Sequence, residues 1–240
     1  MNQMMIAAFQ GLSHLQWWGN EPYISSRAGW RSFVDSVLIT CVTGERPSDT
    51  DSGHHFQRMA RQVLGIPEQR ILSPEDTLRE ILNHGPRCVV FVDDFVGSGR
   101  QFRTTWARDV AVTKSASISF QKVASIMPDN RFFYCPLICT RHGERVVRNK
   151  CPEVEVCPAH FLEPEYGALS PDSFVWPDHL RASAYTFLEQ ASARAGIADT
   201  EWRGIDDLGL VLAFEHSVPD AALKMIYWEK NNWKPLVRRK

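Results

Sequence analysis

Residues 89–101 read Val-Val-Phe-Val-Asp-Asp-Phe-Val-Gly-Ser-Gly-Arg-Gln, and they give the clearest indication of the fold class. Its first four residues are β-branched or aromatic without polar alternation, which is typical of a parallel strand covered on both faces. Strand-like and helix-like segments alternate elsewhere along the chain, as they do in βαβ units. The sequence therefore predicts an α/β fold with a mainly parallel sheet. Asp93 and Asp94 are expected at the carboxyl edge of that sheet, where such folds bind ligands.

A glycine-containing turn follows the acid pair. Gly97 and Gly99 allow backbone N–H groups to turn towards an anion, and a helix start after them adds its positive end. Carboxylates repel phosphate, so Asp93 and Asp94 are expected to face sugar hydroxyls or a magnesium shell. A Walker loop is excluded because no Gly-Lys-Ser/Thr follows the glycines, and a dinucleotide fingerprint carries no Asp-Asp pair before its glycines. The order of groups predicts a sugar-phosphate site; a helix cap or another kind of α/β metal site stays open for the acids.

The stretch resembles the phosphoribosyl-pyrophosphate motif of type I phosphoribosyltransferases, with four apolar residues, two acids, two apolar residues and a small-residue turn. The resemblance implies a three-layer fold with a small C-terminal hood. It implies that Asp93 and Asp94, as the catalytic pair, hold the ribose 2′ and 3′ hydroxyls. It also implies that the 5′-phosphate is bound by six consecutive residues, which are Val96, Gly97, Ser98, Gly99, Arg100 and Gln101.

Three positions differ from the usual form of that motif. Phe95 is bulkier than the common aliphatic residue, Gly97 replaces a Thr, Ser or Ala, and Gln101 stands where a hydroxyl often reaches the phosphate. The variant Asp-Asp-Phe-Val-Gly-Ser-Gly looks more like the phosphoribosyltransferase-like effectors of bacterial conflict systems, including those beside retrons. That closer resemblance implies a role in antiviral defence, a regulatory protein, and a reverse transcriptase with its RNA–DNA complex as partners.

The resemblance also marks two further segments. The 43–53 loop leaves the first predicted strand, and in phosphoribosyltransferases this position handles pyrophosphate; Ser52 and Gly53 open a helix there and supply N–H donors. A plain helix cap is the alternative for these two residues. His216 lies in the C-terminal segment that folds over the site as a hood in the resembling family. Mg²⁺ is expected on the ligand diphosphate, with no direct protein ligand.

Composition and charge indicate the size of the core, the kind of partner and the location of the protein. The chain has 240 residues, of which 44% are hydrophobic and 23% charged, and its formal net charge is −1. Such a chain is long enough for one substantial α/β core, and its charge gives no general argument for nucleic-acid binding. Neither a run of 18 apolar residues nor a signal-peptide pattern occurs, so no membrane contact and a cytoplasmic location are expected.

Six cysteines fall mostly in apolar runs, at positions 41, 88, 135, 139, 151 and 157. Buried Cys behaves as a small hydrophobe, and a cytosolic chain keeps it reduced. A zinc site is the alternative for Cys135, Cys139, Cys151 and Cys157 with nearby histidines, but their spacing lacks paired Cys-x2-Cys knuckles.

Three segments are predicted within one compact domain. They are a helical segment at 1–36, a phosphoribosyltransferase-like core at 37–205 and a hood or partner segment at 206–240. In the last of these, Leu208–Phe214 and Leu223–Trp228 are predicted as strands joined by a Pro219-Asp220 turn.

Two functions fit these observations. The first is an enzyme that binds phosphoribosyl pyrophosphate or a nucleotide and makes or breaks a bond at ribose C1′. The second is a non-catalytic sensing or scaffold subunit that binds the same ligands within a defence or regulatory complex.

Overall fold

The computed structural model describes residues 1–18, 23–44, 52–215 and 217–238; the side chains of 17–18, 23–26 and 52–54 lie outside this description. The chain divides into two compact units. The first comprises Met1–Cys139 with Gly143–Phe161, and the second comprises Thr140–His142 with Leu162–Lys240. The predicted division into a helical segment at 1–36, a core at 37–205 and a hood or partner segment at 206–240 stays a prediction.

A mainly parallel sheet forms the centre of the first unit. Its strands are β1 (Leu38–Cys41), β2 (Cys88–Val96), β5 (Arg131–Thr140), β6 (Val154–Val156) and β7 (His160–Leu162). Their order is β1-β2-β5-β6, with β7 also pairing with β5, and the first three of these pairs are parallel. The short strands β3 (Val110–Ala111) and β4 (Ser117–Ile118) form a separate antiparallel pair.

Eight α-helices occur in the described residues. They are α1 (Asn2–Ser13), α2 (Tyr23–Ser36), α3 (Ser52–Leu64), α4 (Pro74–His84), α5 (Arg100–Ala107), α6 (Phe120–Ile126), α7 (Arg141–Lys150) and α8 (Asp178–Arg194). Local chemistry explains where α4 begins, because the Ser73 hydroxyl accepts the Asp76 N–H at 3.1 Å and Pro74 occupies the first turn. None of the helices in the described ranges has the length and apolarity that crossing a bilayer requires.

Helices cover both faces of the sheet, so the first unit has three layers. Along β2, Val89 and Phe91 point into a core that is shared with α4, α5, α6 and α7. Val90 and Val92 point into a second core that is shared with α1, α2 and α3. Burial on both faces is why the strand carries no polar alternation, and it confirms the predicted α/β fold with a mainly parallel sheet.

The second unit has a different construction from the one expected. The two strands predicted at 208–214 and 223–228 are wrong, because this region has only isolated bridges at Leu210 and a 3-10 turn at Lys224–Ile226. Gly209 has a φ of +54° and breaks the extended backbone next to Leu210. The apolar residues of the region serve instead as packing around α8, where Trp202, Leu223 and Ile226 are buried with Leu188.

The six cysteines are free thiols, five of them buried and Cys88 half-buried. Burial raises the pKa of the Cys135 thiol well above its usual range and that of Cys151 to about 12. Within the described residues, no group of three or more His, Cys, Asp or Glu side chains is placed to hold a metal ion. The zinc alternative therefore has no support from the geometry.

Candidate functional site

The acid pair lies near the carboxyl end of β2. Asp93 is buried, with 2% of its surface exposed, whereas Asp94 is only half-buried. The strand continues past the acids to Val96, because Phe95 and Val96 pair with Ile138 and Cys139 of β5. The two neighbouring carboxyls therefore have different environments, although the same role was predicted for both from the sequence.

Both oxygens of the Asp93 carboxyl accept hydrogen bonds. The Tyr134 hydroxyl donates to Oδ2 at 2.7 Å, and the backbone N–H of Asp94 donates to Oδ1 at 3.0 Å. Burial raises the pKa of Asp93 well above its usual range, and the adjacent charge of Asp94 raises it further. The hydrogen bond from Tyr134 acts in the opposite direction by favouring the carboxylate. Asp93 is thus a buried carboxyl that is held in place on both oxygens, while Asp94 is the more exposed member of the pair.

Tyr134 was missed by sequence reasoning. It lies on β5, directly across from Phe91 of β2, and its ring stacks on Phe102 of α5 with centroids 4.1 Å apart and planes at 20°. Burial, followed by the charge of Asp93, raises the pKa of the phenol well above its usual range. The available signal was a tyrosine within the apolar run 131–139, because a buried hydroxyl requires a polar partner.

The predicted phosphate segment forms a bend that leads into α5. Val96 ends β2 in the core, and residues 97–99 lie outside helix and strand. The buried Ser98 hydroxyl accepts the Arg100 N–H at 3.3 Å, and Arg100 and Gln101 make up the exposed first turn of the helix. The six residues from 96 to 101 are therefore continuous with the acid pair along one edge of the sheet.

Gly99 has a structural requirement that the sequence did not indicate. Its φ of +72° lies in the left-handed region, and it immediately precedes α5. A Cβ atom here would lie 2.9 Å from the carbonyl oxygen of Gly143 and 3.3 Å from Val146, both in α7. This glycine was predicted to allow a ligand to approach the backbone, and its close packing against α7 requires a glycine as well.

The other predicted residues are located only in part. Ser52 and Gly53 begin α3, which confirms the expected helix start, but their side chains are outside the description. β1 pairs with β2 in parallel, with Cys41 across from Val92, so the connection towards α3 leaves from the same edge as the acid pair. His216 lies outside the described residues. The roles assigned to these three residues stay predictions.

Comparison with known proteins gives one match that covers nearly the whole chain. A family model described as PRTase-CE matches residues 1–239. A comparison with curated proteins found no match. Among solved structures, the chain is similar to the AQ2163 protein from Aquifex aeolicus, with 15% identity and a TM-score of 0.32. That similarity covers 52% of this chain and 55% of the other, so it spans about half the length of each.

Proposed function

The chain belongs to the PRTase-CE family and is a phosphoribosyltransferase-like protein, and from this premise we propose that it binds phosphoribosyl pyrophosphate or a nucleotide and acts at ribose C1′. One observation carries the proposal. The half-buried Asp94 directly follows the fixed Asp93 and precedes a bend that opens a helix, all within one segment of the sheet edge. In this proposal the acid pair binds the sugar hydroxyls and the bend binds the phosphate of the same ligand.

The two acids have separate tasks in this proposal. Asp94 accepts hydrogen bonds from the ribose hydroxyls, because its carboxyl is the more accessible one. Asp93 is held by Tyr134 and by the backbone of Asp94, so it sets the position of its neighbour and of the turn that follows. Rigid support of this kind reduces the entropy lost when a ligand is oriented for reaction.

The 5′-phosphate is assigned to the 96–101 segment. The start of α5 supplies the positive end of the helix dipole. The bend at 97–99 connects β2 directly to that helix start. Ser98 already accepts the Arg100 N–H, so its hydroxyl proton remains to be donated.

The reaction class follows from the ligand. Bond cleavage at ribose C1′ passes through an oxocarbenium-like centre, as glycoside cleavage does, and it requires stabilisation of the departing group. Mg²⁺ is assigned to the ligand diphosphate oxygens and water, with no direct protein ligand. When bound, it would neutralise the charge of a departing diphosphate. The 43–53 connection with Ser52 and Gly53 is assigned to that diphosphate.

The proposed biological role is that of an effector in bacterial antiviral defence. Its support is the resemblance of the Asp-Asp-Phe-Val-Gly-Ser-Gly segment to effectors of conflict systems. A regulatory protein and a reverse transcriptase with its RNA–DNA complex are the proposed partners, and the cytoplasm is the proposed location.

A second candidate is a sensor that binds the ligand without turnover. Two observations favour it. Gln101 supplies an amide where the resembling motif often has a hydroxyl, and both oxygens of Asp93 are already engaged within the protein. Such a site retains its ligand but contributes less to stabilising charge in a transition state.

Product analysis separates the two candidates. The purified chain is incubated with Mg²⁺ and either phosphoribosyl pyrophosphate or a nucleotide panel, and products are identified by mass spectrometry. The enzyme produces ribose 5-phosphate species or free base, and Asp93→Asn/Asp94→Asn abolishes them, whereas Asp109→Asn, at an exposed aspartate, does not. Retained ligand without product supports the sensor, and neither binding nor product refutes both candidates.

A further inference from the structure

A cleft of about 530 Å³ lies along α5, outside the segment that is assigned to the 5′-phosphate. Its wall is formed by α5 from Arg103 onward, by Arg108 directly after that helix, by Gln121 of α6 and by Lys150 of α7. A cleft of this volume is within the range of pockets that bind small molecules. Neither the acid pair nor any residue of 96–101 contributes to the wall, so the cleft is separate from the proposed sugar-phosphate site.

The wall of this cleft carries positive charge. Its ionisable side chains are Arg103, Arg108 and Lys150, and no aspartate or glutamate is among the described residues that line it. The side chains of Arg103 and Lys150 are exposed, and neither forms a hydrogen bond or an ion pair with another described residue. Two such cations on different helices attract an anion that can reach both of them.

Arg108 has a different position in the wall. Its Nη1 donates to the Thr43 hydroxyl at 3.0 Å, and its Nη2 donates to the Gly44 carbonyl oxygen at 2.6 Å. Its guanidinium is therefore already engaged within the protein. Arg103 and Lys150 are the two cations of the wall that we assign to a ligand.

The charge of Arg103 reaches the end of α7. Burial, and then the charge of Glu153, raise the pKa of the Cys151 thiol to about 12, while the charge of Arg103 acts in the opposite direction. Cys151 directly follows Lys150, which is the last residue of α7. Glu153 is exposed and does not line the cleft. Arg103 and Lys150 therefore belong to one part of the wall.

Trp106 gives a second, independent observation. Its side chain lines the cleft and is 1% exposed, and its Nε1 donor has no hydrogen-bond partner among the described residues. The indole is held by stacking on Phe102 and Phe120, with planes at 16° and 10°, so it is not free to turn towards another group. Buried N–H groups are nearly always bonded, and an unpartnered one in the wall of a cleft indicates an acceptor from outside the chain.

We propose that this cleft binds a phosphate chain, such as the di- or triphosphate of a small molecule, with Arg103 and Lys150 as its protein ligands. An Arg fork and a Lys ammonium are the side chains that bind phosphate oxygens best, and two cations from separate helices suit a chain of charges better than one carboxylate. The inference concerns a second site and does not rest on the function proposed for Asp93 and Asp94.

Calorimetric titration with inorganic tripolyphosphate tests the proposal. Arg103→Gln and Lys150→Gln should each weaken binding about tenfold or more, which is roughly the value of one charge-assisted hydrogen bond. The matched controls are Arg194→Gln and Lys114→Gln, at exposed cations outside the wall, and they should bind like the parent. Absence of binding to the parent, or equal affinity of the cleft and control variants, overturns the proposal.

The Asp93→Asn/Asp94→Asn form separates the two sites. It should bind tripolyphosphate no more weakly than the parent, even if the parent fails to bind ribose 5-phosphate and the proposed function fails. Loss of tripolyphosphate binding in this form would assign the chain to the sheet edge and overturn the second site.

The same form also identifies the source of the phosphate chain, because its acid pair no longer holds a ribose. Binding of ATP that Arg103→Gln weakens supports a nucleotide as the ligand. Binding of tripolyphosphate without ATP supports an inorganic chain at the same cleft.

Discussion

Replacing Tyr134 with Phe removes one oxygen from the centre of the candidate site. The hydroxyl donates at 2.7 Å to Asp93, and both residues are at most 2% exposed. The aromatic ring remains, and with it the stacking on Phe102. The variant therefore measures the hydrogen bond with little change in packing.

The expected loss can be worked out from the buried pair. Leaving a buried acceptor without its donor costs about 1–3 kcal/mol of unfolding free energy, with the upper part of the range for a charged acceptor. The hydrogen bond favours the carboxylate form of Asp93, so without it the pKa of Asp93 rises further above its usual range. A folded-state pKa above the unfolded one makes stability fall as pH rises between the two values. The loss in Tyr134→Phe should therefore be at least as large at pH 8 as at pH 5.

Urea unfolding at both pH values is the assay, with Tyr185→Phe as a matched change at an exposed tyrosine. The control should lose less than about 0.5 kcal/mol, as is usual for surface substitutions. A Tyr134→Phe protein that matches the control, or that loses more stability at pH 5 than at pH 8, would refute the reasoning about Asp93.

Other consequences can be measured independently. Asp93→Asn removes a carboxyl whose raised pKa makes the parent less stable as pH rises above about 3.9. The stability of the variant relative to the parent should therefore increase over this pH range. Urea-unfolding free energies that run parallel for the two proteins from pH 4 to 8 would contradict this. Gly99→Ala should lower the free energy of unfolding by about 1–3 kcal/mol, because it adds a clash with α7 to the strain of a positive φ. Gly65→Ala is also at a positive φ but has no atom within 4 Å of the added Cβ, so it should lower the free energy of unfolding by less. Equal shifts in melting temperature for the two variants would argue against the clash. The proposed effector role predicts that expression of the chain alone slows growth and shifts nucleotide pools in metabolite profiles. Equal toxicity of the Asp93→Asn/Asp94→Asn form would contradict a catalytic cause.

The parts of the fold that follow from local pattern were predictable. The apolar run before Asp93 has no alternation, and it forms a strand buried on both faces. Ser52 begins α3 as expected, and the start of α4 follows the same local rule, with Ser73 as its cap and Pro74 in its first turn. In each case the determining interactions lie within a few residues of one another.

The features that were not predicted depend on contacts between distant positions. Tyr134 and Asp93 are 41 residues apart, and Arg108 and Thr43 are 65 apart. Periodicity shows that a residue is buried, but it does not show which polar groups from different elements meet. The strands predicted at 208–214 and 223–228 failed for a related reason, since their apolar residues are buried by irregular segments around α8.

Calorimetric titration of ribose 5-phosphate into the parent, Asp94→Asn and Asp93→Asn/Asp94→Asn tests the proposed ligand site itself. The claim is that the acid pair and the 96–101 bend form one sugar-phosphate site. Loss of a charge-assisted hydrogen bond from a ribose hydroxyl to Asp94 should cost about 1.5–3 kcal/mol of binding free energy, which is a weakening of roughly tenfold to a hundredfold. The double variant should bind no better than Asp94→Asn while keeping a cooperative unfolding transition. Unchanged affinity in the double variant would contradict the assignment of the site.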